Sequence, residues 1–168
     1  GKREFMKIGG IKELGAERVF LTSTTHGAEM CGLGALIQTI KFYKEHKVVD
    51  HLWNYGKKLV SEMNAIAKEL QISDHFAATG IECSPNYITK DANKEVSLAF
   101  RTLFSQEMIK NGILMPWIAI SYAHTDKELN KTLEAVRKSL QVYAKALNDG
   151  VDKYLVGSTI KPVFRKYN

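Results

Sequence analysis

Between Val48 and Leu70 the apolar residues recur three and four apart, at Val49, Leu52, Trp53, Leu59, Val60, Met63, Ile66 and Leu70, with Gly56 on the same stripe. That is the period of an α-helix with one buried face, and no strand can bury such a stripe. A long one-faced helix must be covered by other elements, and the rest of the chain supplies them. One helix is expected from about Ala28 to Glu45, and another from about Glu95 to Lys110, closed by Asn111-Gly112. A further helix begins at Thr125-Asp126-Lys127-Glu128, where Thr125 and Glu128 have capping-box spacing. Leu129, Leu133, Val136, Leu140, Tyr143 and Leu147 continue its apolar face, and Gly150 is its expected stop. His75 to Thr89 alternates loosely through Phe76, Ile81, Tyr87 and Ile88, which predicts one or two strands. Ile113 to Tyr122 reads as a further strand, with Pro116 marking an edge or a bulge. The order helix, strand region, helix, strand, helix predicts an α/β fold in which helices cover a small sheet.

Composition excludes several classes. With 168 residues, 45% of them hydrophobic, the chain can build the core of one domain or a domain and a half, which excludes disorder. No apolar run approaches the ~20 residues that a bilayer-spanning helix needs, and no apolar h-region follows Gly1-Lys2-Arg3-Glu4. The two cysteines, Cys31 and Cys83, form no CxxC pair, which argues against a disulfide scaffold or a structural zinc and fits a reducing, cytoplasmic setting. The net charge of +6 permits an anionic partner, but no run of four basic residues occurs. The expectation is a solvated surface of mixed charge, with no nucleic-acid and no membrane partner. His46 and His51 lie five apart near a helix junction, and no metal site is expected there.

The stretch Phe20-Leu21-Thr22-Ser23-Thr24-Thr25-His26-Gly27-Ala28 carries the most chemistry. An apolar pair leads into four hydroxyl residues, a glycine and a helix start. Hydroxyls beside the free N–H groups of a helix start can hold a phosphate; equally, one threonine can simply be the N-cap. The helix behind it carries Gly32 and Gly34 among small residues that include Cys31 and Ala35. Each helical glycine costs about 1 kcal/mol relative to alanine, so close packing of that face, with Cys31 as a small buried side chain, is expected.

These residues carry a resemblance. Gly1-Lys2-Arg3-Glu4-Phe5-Met6, followed by Thr24-Thr25-His26-Gly27, is similar to the Gly-x-x-x-x-Met segment and Thr-x-x-Gly turn of class III aminotransferases. Gln106-Glu107-Met108 with Asn111-Gly112-Ile113-Leu114-Met115 resembles that family's passage from helix to strand near the C-terminus. Ser121-Tyr122-Ala123-His124-Thr125-Asp126 resembles its Ala-His-Ser/Thr motif ahead of the last helix. The likeness runs from about Gly1 to Leu147 and is closest to the glutamate-1-semialdehyde aminomutase branch.

The resemblance implies a fragment of a pyridoxal-phosphate (PLP) enzyme of fold type I. Residues 1–27 would be the end of the large PLP-binding domain, 28–47 a connecting helix, 48–150 the C-terminal small α/β domain and 151–168 a basic tail. The full-length enzyme would be a homodimer moving an amino group between small amino and oxo compounds. Thr24, with Ser23 and Thr25 beside it, would bind the cofactor phosphate. The family's Schiff-base lysine and pyridine-binding aspartate lie before the Gly-x-x-x-x-Met segment, so no catalytic residue is assigned here and the fragment alone is expected to be inactive. Aminomutases carry a glutamate at the position of Pro116, within Met115-Pro116-Trp117, which leaves another amino or keto substrate equally open. His124 is expected to be a structural hydrogen-bonder. Arg101 could meet a substrate carboxylate or form a surface ion pair. The alternative to an enzyme portion is a non-catalytic α/β module for dimerisation or partner binding.

Overall fold

A computed structural model describes residues 2–6 and 29–161. The elements are α1 (Arg3–Met6), α2 (Met30–Glu45), α3 (Val48–Glu69), β1 (Phe76–Ile81), β2 (Ser84–Thr89), α4 (Leu98–Lys110) and α5 (Asp126–Asp149), with a 3-10 turn at Val151–Lys153. They divide between two units, Gly1–His46 and Lys47–Asn168.

In the first unit, α2 buries none of its residues. Leu33, Leu36, Ile37 and Ile40 are exposed, and so is Cys31. Among the described residues, a Cβ added at Gly32 or Gly34 would meet nothing within 4 Å. The close packing expected of this small-residue face is not seen among them, and Cys31 is exposed and not the buried side chain expected.

The second unit has its own core. α3 buries Leu59, Met63 and Ile66 of the expected stripe and Tyr55 beside it, whereas Val49 and Trp53, expected on that stripe, are exposed. β1 and β2 form an antiparallel hairpin in the register Phe76↔Thr89 to Ile81↔Ser84. Its core face carries Phe76 and Ala78 from β1, and Tyr87 and Thr89 from β2. Phe76, Tyr87 and Phe104 meet with ring centroids 4.9 to 6.0 Å apart, and Phe100 lies 4.7 Å from Tyr143. Each such ring, taken from water into the core, contributes about 1.5–3 kcal/mol. Leu103 and Met108 of α4 and Val136 and Leu140 of α5 complete this core.

The helix ends follow their sequence signals. Ser97 caps α4 by accepting from the Phe100 N–H, three residues inside the expected start. Gly112 follows α4 with φ 77°. Thr125 and Glu128 form the capping box of α5, and Gly150 ends that helix with φ 91°.

One expected element is absent. Ile113 to Tyr122 forms no strand, and the sheet has two strands. The reason lies at the outward-facing backbone groups of Tyr87, where a third strand would pair. The Tyr87 N–H donates to Asn86 Oδ1 at 2.8 Å. Its carbonyl accepts from Arg101 Nη1 at 3.2 Å, and Arg101 Nη2 donates to the Pro116 carbonyl at 3.0 Å. A guanidinium thus stands between β2 and the extended segment, in place of a backbone ladder. The opposite edge is taken in the same way. Asn64 of α3 donates to the Ala78 carbonyl at 2.9 Å and accepts from its N–H at 2.8 Å.

Candidate functional site

Ser23, Thr24 and Thr25, the residues singled out for phosphate binding, lie outside the described residues. Within the second unit, the polar chemistry gathers around the segment that follows α4. Two side chains clamp that segment. The Tyr87 hydroxyl lies 3.2 Å from the Met115 carbonyl and 3.1 Å from that of Pro116. Arg101 stacks 4.4 Å above the Tyr87 ring while it holds the Tyr87 and Pro116 carbonyls. Its planar fork suits two acceptors at once. Among the described residues Arg101 therefore makes no ion pair; its donors fix a backbone. The clamped segment leaves Leu114 and Trp117 outward, 81% and 67% exposed.

Beyond the clamp, the segment, α3 and the start of α5 enclose a cleft of about 440 Å³. Its apolar side includes Leu59, Met115, Ile118 and Ile120, and its polar side is one face of α5. Glu128 on that face is tied down. Its Oε2 accepts from the Thr125 hydroxyl at 2.6 Å and the Thr125 N–H at 2.8 Å. Those hydrogen bonds, the hydroxyl's first, hold its carboxyl down to about 2. A second cleft, of about 350 Å³, lies between His51, Tyr55, Lys58, His124 and Asp126. His124 Nδ1 accepts from the Ser121 N–H at 3.3 Å, which leaves the ring proton on Nε2. It closes the turn before α5, the structural part expected of it. Tyr55 stands between the two clefts, its phenol pushed up by burial and then by the charges of Glu128 and Asp126. Among the described residues no group of three metal-ligating side chains converges.

Sequence reasoning did not find two of the polar anchors. Asn64 lies on a helix face, where its side chain reads as solvated. Tyr143 counts as a core aromatic by period, yet its hydroxyl is a junction. It accepts from the Lys90 N–H at 2.9 Å and directs its proton towards the carbonyls of Lys90 at 2.6 Å and His75 at 3.0 Å. Burial pushes that phenol well above its usual range. A polar tip on an apolar stripe was the only available signal.

This geometry defines a small α/β domain with a two-stranded antiparallel sheet and helices packed over it, compatible with the C-terminal part of a PLP-dependent transferase. Comparison with known proteins points the same way. Over 150 residues the chain is 29% identical to 3-aminobutyryl-CoA aminotransferase of Cloacimonas acidaminovorans, a match covering 88% of this chain and 34% of that enzyme. Over 151 residues it is 28% identical to glutamate-1-semialdehyde 2,1-aminomutase of Archaeoglobus fulgidus, covering 79% of this chain and 35% of that protein. These relatives bear out the likeness to class III PLP-dependent aminotransferases that the motifs carry. The chain spans about a third of the length of the curated relatives it matches. No protein-family model matches it, and no solved structure matches it. Among the described residues no helix is long and apolar enough to cross a membrane.

Proposed function

We propose that the chain is the C-terminal portion of a PLP-dependent aminotransferase or aminomutase of fold type I, which acts as a cytoplasmic homodimer and moves an amino group between small amino and oxo compounds. The observation that carries this reading is that two such enzymes match most of this chain while the chain matches only about a third of each. In this reading residues 1–27 end the large domain, 28–47 connect, 48–150 form the small domain and 151–168 a basic tail. When bound, PLP supplies an electron sink for the carbon that bears the amino group. Thr24, with Ser23 and Thr25, donates hydroxyls to the cofactor phosphate, a donor chemistry that suits a dianion.

The activity belongs to a longer polypeptide that also supplies the anchoring lysine. By the resemblance, Pro116 stands where aminomutases carry a glutamate; its carbonyl is bound by Tyr87 and Arg101. An amino or oxo substrate other than glutamate-1-semialdehyde therefore fits the chain as well. The reading frame upstream of Gly1 provides the test, together with an amino-transfer assay of the longer polypeptide with PLP and a panel of amino donors. The expected result is a lysine on the preceding segment, an aspartate further upstream, and PLP-dependent transfer. A frame without that lysine, or a longer polypeptide that binds no PLP, would overturn the reading in favour of a non-catalytic module.

A further inference from the structure

The cleft between the clamped segment and α5 is not used by the proposed phosphate site, and its two walls are chemically opposite. One wall is apolar, with Leu59, Ile118 and Ile120 along it and Trp117 at its border. The other is the face of α5 that carries Lys127 and Lys131, one helical turn apart and so able to converge on one head group. Neither lysine makes an ion pair among the described residues. The carboxylate between them, Glu128, is turned to the N-cap, where Thr125 takes it up twice, and Asp126 pairs with Lys58. Neither ammonium group is therefore closed off by an ion pair, although the Lys127 charge lies near enough to Glu128 to help hold its carboxyl down. The backbone N–H groups of Trp117, Ile118, Ala119 and Ile120 donate to no described residue. The Tyr87–Arg101 clamp holds the segment in place by the Met115 and Pro116 carbonyls, which means that this wall is set before anything binds. A volume of about 440 Å³ falls in the range of small-molecule sites.

We propose that this cleft binds a small amphiphilic anion, a compact phosphate or carboxylate head on a short aliphatic body. The head lies between Lys127 and Lys131, and the body lies on Leu59 and Ile118 beside Trp117. Lysine serves such a head as a point charge, and the apolar wall selects against a bare inorganic ion.

The 168-residue chain carrying Trp53→Phe retains Trp117 as its sole tryptophan, and its fluorescence reports occupancy. Titration with octyl phosphate should give a saturable change, and octanoate should follow with the same site dependence. Octan-1-ol and inorganic phosphate should each bind about tenfold more weakly or worse. The Lys127→Gln/Lys131→Gln double variant alters only exposed side chains, so its urea midpoint should be unchanged while octyl phosphate affinity falls about tenfold or more. Backbone amide shifts should map to Trp117–Ile120 and the first turns of α5. The proposal is overturned by the absence of saturable binding, by equal binding of octan-1-ol or of inorganic phosphate, or by unchanged octyl phosphate affinity in a folded double variant.

Discussion

Gly56 shows how a single missing atom sets a packing distance. A Cβ there would lie 1.7 Å from the Glu82 carbonyl oxygen and 2.8 Å from Ile120 Cδ1, so the turn of the hairpin rests on the bare backbone of α3. Helix propensity alone favours alanine by about 1 kcal/mol, but the overlap is with backbone and cannot be relieved by a rotamer change. Gly56→Ala should therefore destabilise the domain by about 1–3 kcal/mol despite its better propensity, measured as a fall in urea midpoint at constant slope. Tyr143 is the other residue on which distant segments depend, since its hydroxyl ties α5 to both strands at the open end of the hairpin through His75 and Lys90. Tyr143→Phe keeps the ring in its pocket and removes only that oxygen. It should cost about 1–2 kcal/mol, read from the same unfolding curves. Absorbance titration should show no phenolate from Tyr143 below the range of the exposed tyrosines, because burial raises it.

Among the elements, α5 has the start that sequence specifies most fully. Thr125 and Glu128 satisfy each other and the first free N–H groups. Glu128 is held at about 2 in the folded chain against an ordinary 4.5, by the Thr125 hydroxyl above all. A depressed carboxylate stabilises above its unfolded value, so this contribution is complete above about pH 4.5 and is lost as pH falls towards 2. Carbon-detected titration should find Glu128 well below the ordinary glutamate range. Thr125→Ala should bring it back towards the ordinary value and lower stability by about 1 kcal/mol at neutral pH. The legibility of the fold divides along the same line. α3, α4 and α5, the end of α4 and both ends of α5 were readable because period and cap residues are local properties, whereas the Ser97 cap of α4 was not picked out. The strand region was readable from the loose alternation of His75 to Thr89, but not its division into a hairpin that turns at Glu82-Cys83. The segment Ile113 to Tyr122 was misread because β-propensity describes a side chain's fit to a sheet and not whether the neighbouring strand has a free edge. That edge is taken by Asn86 and by Arg101, 15 residues upstream of Pro116. Lys127 and Glu128 were legible as a helix start, but the cleft beside them depends on where the clamp sets the chain.

For the whole molecule, the proposed enzyme makes Thr24 the residue to test, in the longer polypeptide. A hydroxyl donating to a charged phosphate contributes about 1.5–3 kcal/mol. Thr24→Ala should raise the PLP dissociation constant by about 10- to 150-fold, while Thr24→Ser retains most of the affinity and Thr25→Ala loses less. If Thr24 does not touch the phosphate, the alanine variant binds PLP as before; α2 starts at Met30 with Glu29 at its N-cap position, so a loss of affinity in Thr24→Ala is not the loss of that helix's cap. The side chains that occupy the hairpin edges have a separate consequence, for the behaviour of many copies in one solution. A two-stranded hairpin with open flanks is a template on which another molecule can add its own strand and propagate a fibre. Here Asn64 and Arg101 occupy the middle of either flank like stoppers. Removing both, by Asn64→Ala with Arg101→Ala, should accelerate the growth of light scattering on mild warming well beyond what the loss of stability alone produces, because the stoppers keep neighbouring hairpins from recruiting one another.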